Sequence, residues 1–531
     1  MVPTQMLLHF QWLQNQADIL LNPLSLSIFL FLIFSAVLFL LRSQNSSSSS
    51  HSHSLNLPPC PPTLPLIGNL HQLSRLVHHS LRDLSRQHGP FMLMYLGWAK
   101  VLVVSSAEMA REIMKNHDNV FADRAITSTA KALMYGCKDI GLAPYGEYWR
   151  QVRKLCVLDL LCLKRVHSFK FIREEEASSL VAKISRSASS GSTIDLSDLL
   201  GILANNVVAR CTFGSKYEGE DGRNRFEELS KTTMNLIREF SMADFFPCLG
   251  WMDILTGFRR RLKRHIQEID TFLDEVINEH MMKSDLHDDL DQQHFLIDRL
   301  ILAQKHKTLD VKLDRENIKA IIMDMFIGGT DTTATTLEWA MAELIKSPNE
   351  MKKVQEEVRR AVGEKTKVEE DDIRRMDYLK CVIKETLRLH APVPTLLPRE
   401  AITSATVNGY YIPAKTKVFI NAWAIQRDPE VWERAEEFAP ERFLCSSGVD
   451  FKCQDFDFIP FGSGRRSCPG VAFGLSFVEV ALASLLYWFD WELPNGGIKE
   501  ELDMTEVHRT TVSKRDPLLL VPILHSFQIS C

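Results

Sequence analysis

The chain carries no CxxC pair, no internal repeat and no long basic tract. Its eleven cysteines are odd in number and dispersed over 531 residues, which argues against a disulfide framework and fits reduced thiols in a cytosol-facing protein. A net charge of -5, with no basic stretch against it, gives nucleic acid no electrostatic footing, so no such partner is expected. Charge is missing altogether from residues 24–41, LSLSIFLFLIFSAVLFLL. At about 1.5 Å per residue this run spans about 27 Å, close to the hydrocarbon thickness of an endoplasmic-reticulum bilayer. It exceeds the apolar core of a signal peptide and no small-x-small cleavage site follows, so a retained single-pass anchor is expected. Arg42 follows the run, whereas residues 1–23 hold only Asp18 as a charged residue. The positive-inside rule then leaves 1–23 as a short lumenal terminus and the bulk of the chain in the cytosol.

Linkers are confined to the N-terminal side. Residues 42–54 (RSQNSSSSSHSHS) are a flexible polar tether. The strut that follows, Leu57-Pro-Pro-Cys-Pro-Pro-Thr-Leu-Pro-Leu-Ile-Gly-Asn69, is semi-rigid because proline fixes φ. Tether and hinge together occupy 42–69. No second linker follows, so 70–531 reads as one unit, although length alone suggests roughly two to four domains. Residues 92–106 read as a strand pair, rich in β-branched and apolar residues around Gly97, and β-like pieces recur at 406–420 and 517–523. Apolar residues at helical spacing predict helices over 107–116, 146–160, 225–240, 257–283, 335–346, 349–362 and 378–389. The fold class is therefore mainly α with small β-sheets. Polar breaks fall at 218–224 and 284–293, and Arg259-Arg-Arg-Leu-Lys-Arg264 reads as a wet helix face, with a phospholipid or partner contact as the alternative.

Chemistry concentrates in a few stretches. Phe461-Gly462-Ser463-Gly464-Arg465-Arg466-Ser467-Cys468-Pro469-Gly470 is a tight glycine-rich loop presenting one cysteine at the start of a helix. A thiolate there can ligate a haem iron axially, and backbone N–H groups and the helix N-terminus favour its charged form. Arg466 is placed to pair with a haem propionate. Residues 314–346 predict one long helix whose middle, Gly328-Gly329-Thr330-Asp331-Thr332-Thr333, is poor helix material. Two glycines let a flat ligand approach, and threonine hydroxyls can hydrogen-bond back to carbonyls and open the ladder. Glu385 and Arg388 share a helix face at i, i+3, and Phe438-Ala-Pro-Glu-Arg-Phe443 lies downstream. Trp149 and Arg153 stand one turn apart, and Leu397-Pro398-Arg399-Glu400 offers a further arginine.

Hinge, Trp/Arg helix, glycine-threonine groove, Glu-x-x-Arg, Pro-Glu-Arg-Phe and cysteine loop occur here in the order found in the cytochromes P-450, and the chain resembles that family over nearly its whole length. FGSGRRSCPG and LPRE resemble plant microsomal A-type members of the 71 clan. The departure is Cys60 in the strut, where the family usually has glycine.

The resemblance implies a cytochrome P-450 fold with an N-terminal transmembrane helix, and haem b held by Cys468 and its neighbours Phe461, Gly464 and Arg466. Trp149, Arg153 and Arg399 would contact propionates. Asp331 and Thr332 would pass protons, through water, to dioxygen at the haem. Glu385, Arg388 and Arg442 would form a buried structural network. It implies a monooxygenase of apolar plant specialised metabolites, with electrons from NADPH through the flavins of a cytochrome P-450 reductase and cytochrome b5 as a second donor. Arg150, Lys154 and Arg465 would meet the reductase. The substrate pocket would draw on the loop 121–145 with Phe121, on Phe326, Ile327 and Thr330, on Val393 and Leu396, and on His508 near 508–511. His508-Arg509 stands where the clan more often has apolar residues. Rival readings are an isomerase or dehydratase of the same fold that needs no NADPH, and a haem-binding membrane protein without turnover.

Overall fold

The computed structural model describes residues 56–217, 225–239, 241–286, 295–445, 450–451 and 456–526, and only positions 27, 31 and 34 before them. The expected anchor, tether and both polar breaks lie largely outside the described residues. One compact unit spans Leu57–Cys531. The proline strut assigned above to the hinge belongs to this unit: the Leu93 N–H donates to the Pro59 carbonyl (2.8 Å), and Asn69 Nδ2 to those of Pro61 (3.2 Å) and Pro62 (3.3 Å).

Eleven helices organise the site: α1 (Val77–His88), α2 (Glu147–Leu155), α3 (Lys170–Ser189), α4 (Leu196–Phe213), α5 (Arg225–Arg238), α6 (Phe258–Leu286), α7 (Arg315–Gly329), α8 (Asp331–Lys346), α9 (Pro348–Val362), α10 (Asp377–Leu389) and α11 (Val471–Trp488). Their ends follow local chemistry. Asp195 caps α4 by accepting from the Asp198 N–H, and Gly214 in the left-handed region stops it. Asp314 and Asn317 form a capping box at the start of α7.

The expected single helix over 314–346 is two helices. It is interrupted at Thr330, where Thr332 Oγ1 donates to the Gly328 carbonyl (2.6 Å) and Thr333 Oγ1 to that of Gly329 (2.8 Å). These side-chain bonds compete for the helix carbonyls, which bends the ladder where glycine already weakens it.

α11 is apolar almost all round, α8 is buried over most of its length although half its residues are polar, and both run through the main core. Among the described residues α11 is the one helix long and apolar enough to cross a membrane, and most of it is buried inside the fold, as a core helix would be. A second core lies under a five-stranded sheet of β1 (Phe91–Leu96), β2 (Ala99–Val104), β3 (Asp123–Arg124), β4 (Arg399–Glu400) and β5 (Lys417–Ile420), in the order β1-β2-β5-β4-β3. Its β2 and β5 run parallel, with Val101 opposite Lys417. A separate hairpin, β6 (Glu506–His508) and β7 (Val512–Lys514), packs against α8. The basic run 259–264 lies on α6 with every residue but Leu262 exposed, as a wet face requires.

Candidate active site

The loop before α11 folds back on itself: the Cys468 N–H donates to the Phe461 carbonyl (2.9 Å) and the Gly470 N–H reaches Cys468 Sγ (3.4 Å). Gly464 needs its hydrogen, with φ at +71° and a Cβ position 2.2 Å from the Met114 carbonyl oxygen. Cys468 keeps an open face although it sits deep in the fold. Burial raises its thiol above the ordinary range, opposed by the Gly470 N–H and by the charge of Arg153. Gly328, near the end of α7, is also exposed, and an added Cβ there would meet nothing within 4 Å.

Four guanidiniums converge beside this loop. Arg153 Nη2 donates to the Ser467 carbonyl (2.6 Å). Arg466 spends its donors on the carbonyls of Ala122 (2.7 Å), Ile140 (3.3 Å) and Ala143 (2.5 Å). Arg399 reaches the Ser463 carbonyl (2.7 Å) and pairs with Asp118 (2.8 Å). Arg124, which the sequence analysis did not single out, donates to the carbonyls of Gly141 (2.9 Å) and Leu397 (2.6 Å). Burial, then repulsion from Arg399, Arg466 and Arg153, holds Arg124 well below its usual range; burial brings Arg466 down to about 10. Asp118 is the carboxylate paired directly with the cluster, so buried positive charge is in excess. Trp149 does not offer its N–H to the opening: that donor is committed to the Ile140 carbonyl (2.9 Å), and its ring lies 4.3 Å from the Arg466 guanidinium.

Glu385, Arg388 and Arg442 meet as a network. Glu385 accepts from Arg388 at 2.7 and 2.8 Å and from Arg442 at 3.0 Å, and both Glu385 and Arg388 are wholly buried. Arg388 also donates to the Gln426 carbonyl (2.9 Å), and Gln426 Oε1 accepts from the Ile459 N–H (3.0 Å), which carries the network to the base of the cysteine loop. Asp331 and Thr332 open α8, and Thr511 Oγ1 lies 3.4 Å from Asp331 and 2.8 Å from Thr335.

The expected pocket residues divide. Phe326 and Ile327 line a narrow apolar cavity with Phe226, Leu229, Phe272 and Met323, and the Phe226 ring packs tilted against Phe326 with centroids 3.8 Å apart. Thr330, Val393, Leu396 and His508 are not among the residues lining it. Phe121 has no exposed surface, packs in the core under the sheet, and is not among the residues lining this cavity. His508 is exposed on β6, close enough to His78 for its charge to act there. Of the cations expected at the reductase face, Arg150 pairs with Glu147 (2.6 Å) and Arg465 with Asp118 (3.1 Å), while Lys154 is exposed.

The family model for cytochrome P-450 matches residues 58–520. The chain is a cytochrome P-450. It is 54% identical over 461 residues to cytochrome P-450 71A1 of Persea americana, covering 86% of this chain and 91% of that one. It is 50% identical to a phenylacetaldehyde oxime monooxygenase of Prunus mume (89% and 90% covered), and 47% identical to strychnine-11-hydroxylase of Strychnos nux-vomica (88% and 91% covered). Among solved structures, a zebra fish cytochrome P-450 with abiraterone superposes with a TM-score of 0.71 at 25% identity, covering 85% of this chain and 99% of that one. This cytochrome P-450 is thus an oxidoreductase, a haem-thiolate monooxygenase of the plant 71 clan that takes electrons from a redox partner and acts on a small molecule with O2. Its residues fit haem b: Cys468 is exposed, and the arginine cluster beside its loop has one directly paired carboxylate, which leaves positive charge for two propionates.

A further pair went unrecognised in the sequence. Asp324, on α7, accepts from the N–H groups of Ile140 (2.5 Å) and Gly141 (3.2 Å), and Asp139 from that of Leu142 (2.7 Å). Burial, then the Asp139 charge, pushes the Asp324 carboxyl well above its usual range. Asp139 Oδ1 is buried without a partner, which a proton on the facing carboxyl would satisfy. A carboxyl raised in the folded state stabilises fully below its unfolded value and loses that contribution as pH rises through the folded value. Stability should therefore decline as pH rises above about 4 toward the ionisation of Asp324. Asp324→Asn should flatten that decline in thermal unfolding followed against pH; an unchanged pH profile would refute the shared proton.

Proposed function

We propose that this enzyme is an endoplasmic-reticulum monooxygenase, anchored by residues 24–41 with its catalytic unit in the cytosol, that hydroxylates an apolar, aromatic-bearing plant metabolite. The observation that carries the site assignment is the cysteine loop set beside four guanidiniums with one directly paired carboxylate. Cys468 would hold the haem iron through its thiolate, and Arg124, Arg153, Arg399 and Arg466 would hold the propionates, with the Trp149 ring packed against the guanidiniums of Arg153 and Arg466. When bound, the haem supplies activation of O2 through thiolate-assisted O–O cleavage.

The remaining steps belong to the chain. Phe226, Phe272 and Phe326 bind the apolar body of the substrate, and Ser230 and Thr233 are polar points on the same wall. Thr330, whose buried hydroxyl has no partner among the described residues, faces substrate or water. Thr332 and Asp331 hold and pass protons: the hydroxyl can swing from the Gly328 carbonyl, and Asp331 is steadied by Thr511. The reductase and cytochrome b5 dock on the face bearing Lys154, with Arg150 and Arg465 contributing what their carboxylate partners leave free.

Microsomal expression with a plant reductase tests this reading. Apolar aromatic metabolites should give spectral binding shifts and NADPH-dependent oxidised products in the membrane fraction. Product without NADPH would overturn it. Thr332→Ala should lower product formed per NADPH consumed by roughly 10- to 100-fold while NADPH oxidation continues. Coupling equal to that of the wild type would remove Thr332 from the proton path.

A further inference from the structure

We propose that His78, His79 and Glu506 bind a zinc ion that fastens α1 to the β6–β7 hairpin. The three donor atoms lie within 4.8 Å of one another, the one such cluster among the described residues. His78 Nε2 is 3.0 Å and His79 Nε2 2.9 Å from the same carboxylate oxygen, Oε2 of Glu506. Zinc bonded at about 2.0–2.1 Å to each would separate the donors by about 3.3 Å, so the rings need retreat by only a few tenths of an ångström.

His390 supplies an independent observation. It is 8% exposed, its Nδ1 has no hydrogen-bond partner, and that atom points at the other oxygen of Glu506 from 3.8 Å. Its Nε2 meets Glu343 Oε1 at 2.7 Å. A proton held there for Glu343 leaves the Nδ1 lone pair facing a carboxylate, an arrangement that a cation between them relieves. Carboxylate, imidazole and metal in line is how metal-bound histidines are oriented. Trp339 stacks on the His390 ring at 4.0 Å and Trp423 on His79 at 4.2 Å, so neither ring is free to turn away. Two carboxylates, Glu506 and Glu343, balance a divalent charge. Two cations flank Trp423, Arg427 and Arg82, and both are paired with Glu436 (3.0 and 2.9 Å). Two or three imidazoles with one carboxylate favour zinc over magnesium or calcium. The site is distant in sequence from the cysteine loop, but the hairpin it would hold carries Thr511, which touches Asp331. Zinc thereby supports the position of the acid without touching the haem.

The test uses full-length holoenzyme, stripped with a chelator, reloaded with zinc sulfate and desalted. Expected are one zinc per haem iron by elemental analysis and a nitrogen/oxygen shell at about 2.0 Å by X-ray absorption. His79→Gln, at a side chain 36% exposed, should weaken zinc retention at least about tenfold with haem content and the carbon-monoxide spectrum unchanged. Glu506→Gln should do the same if it folds. No zinc above background in the wild type, or equal retention in His79→Gln, would overturn the site and leave a metal-free hydrogen-bonded cluster. Because iron and zinc are counted separately, failure here is distinct from failure of the haem assignment.

Discussion

Cys468→Ala is expected to leave a folded protein that shows no thiolate-type Soret band after reduction and carbon monoxide, with turnover down by more than about a thousandfold. The substitution removes the sulfur and little else: Cys468 has an open side, and its backbone bond to Phe461 does not involve the side chain. The loop geometry is held instead by Gly464 and by Arg399, which grips the Ser463 carbonyl, so circular dichroism and the unfolding midpoint of the haem-free protein should hold near wild type. Arg124, Arg153, Arg399 and Arg466 remain, and some haem should still be captured through its propionates. Residual haem with an altered spectrum separates loss of the axial ligand from loss of the pocket. An unchanged spectrum or persistent turnover would defeat the assignment of Cys468.

Glu385→Ala should be the most destabilising single change in the catalytic unit. The carboxylate is wholly buried and neutralises Arg388, also wholly buried, through two hydrogen bonds, while accepting from Arg442 and from the Ala439 N–H (2.9 Å). Removing one member of a buried pair strands the other charge at a cost of about 3–5 kcal/mol. The damage should spread to the site, because Arg388 positions Gln426, and Gln426 holds Ile459 just before the cysteine loop. Expected are low yield, a markedly lower unfolding midpoint and little bound haem. The double change Glu385→Leu with Arg388→Met should recover stability relative to Glu385→Ala, since it removes both buried charges together. A Glu385→Ala protein with wild-type midpoint and haem content would show that the network is dispensable.

The local motifs were legible in the sequence because the physics that creates them is local. The loop from Phe461 to Gly470 turns within itself, Glu385 and Arg388 are one helical turn apart, and the threonines after Gly328 reach back only four residues. Helical periodicity likewise reports which face each helix buries, and the near-continuous apolar runs of β1 and β2 report strands buried on both faces. Tertiary structure alone decided what converges from afar. Arg124, Arg153, Arg399 and Arg466 become one charged cluster only after the chain has folded around α2 and the sheet. Asp139 with Asp324, and His78 with Glu506, are similarly brought together across long separations. The packing of Phe121 under the sheet is set in the same long-range way. A residue's type fixes what it can do, whereas its neighbours, which no short-range pattern encodes, fix whether it lines a cavity, fills a core or balances a charge.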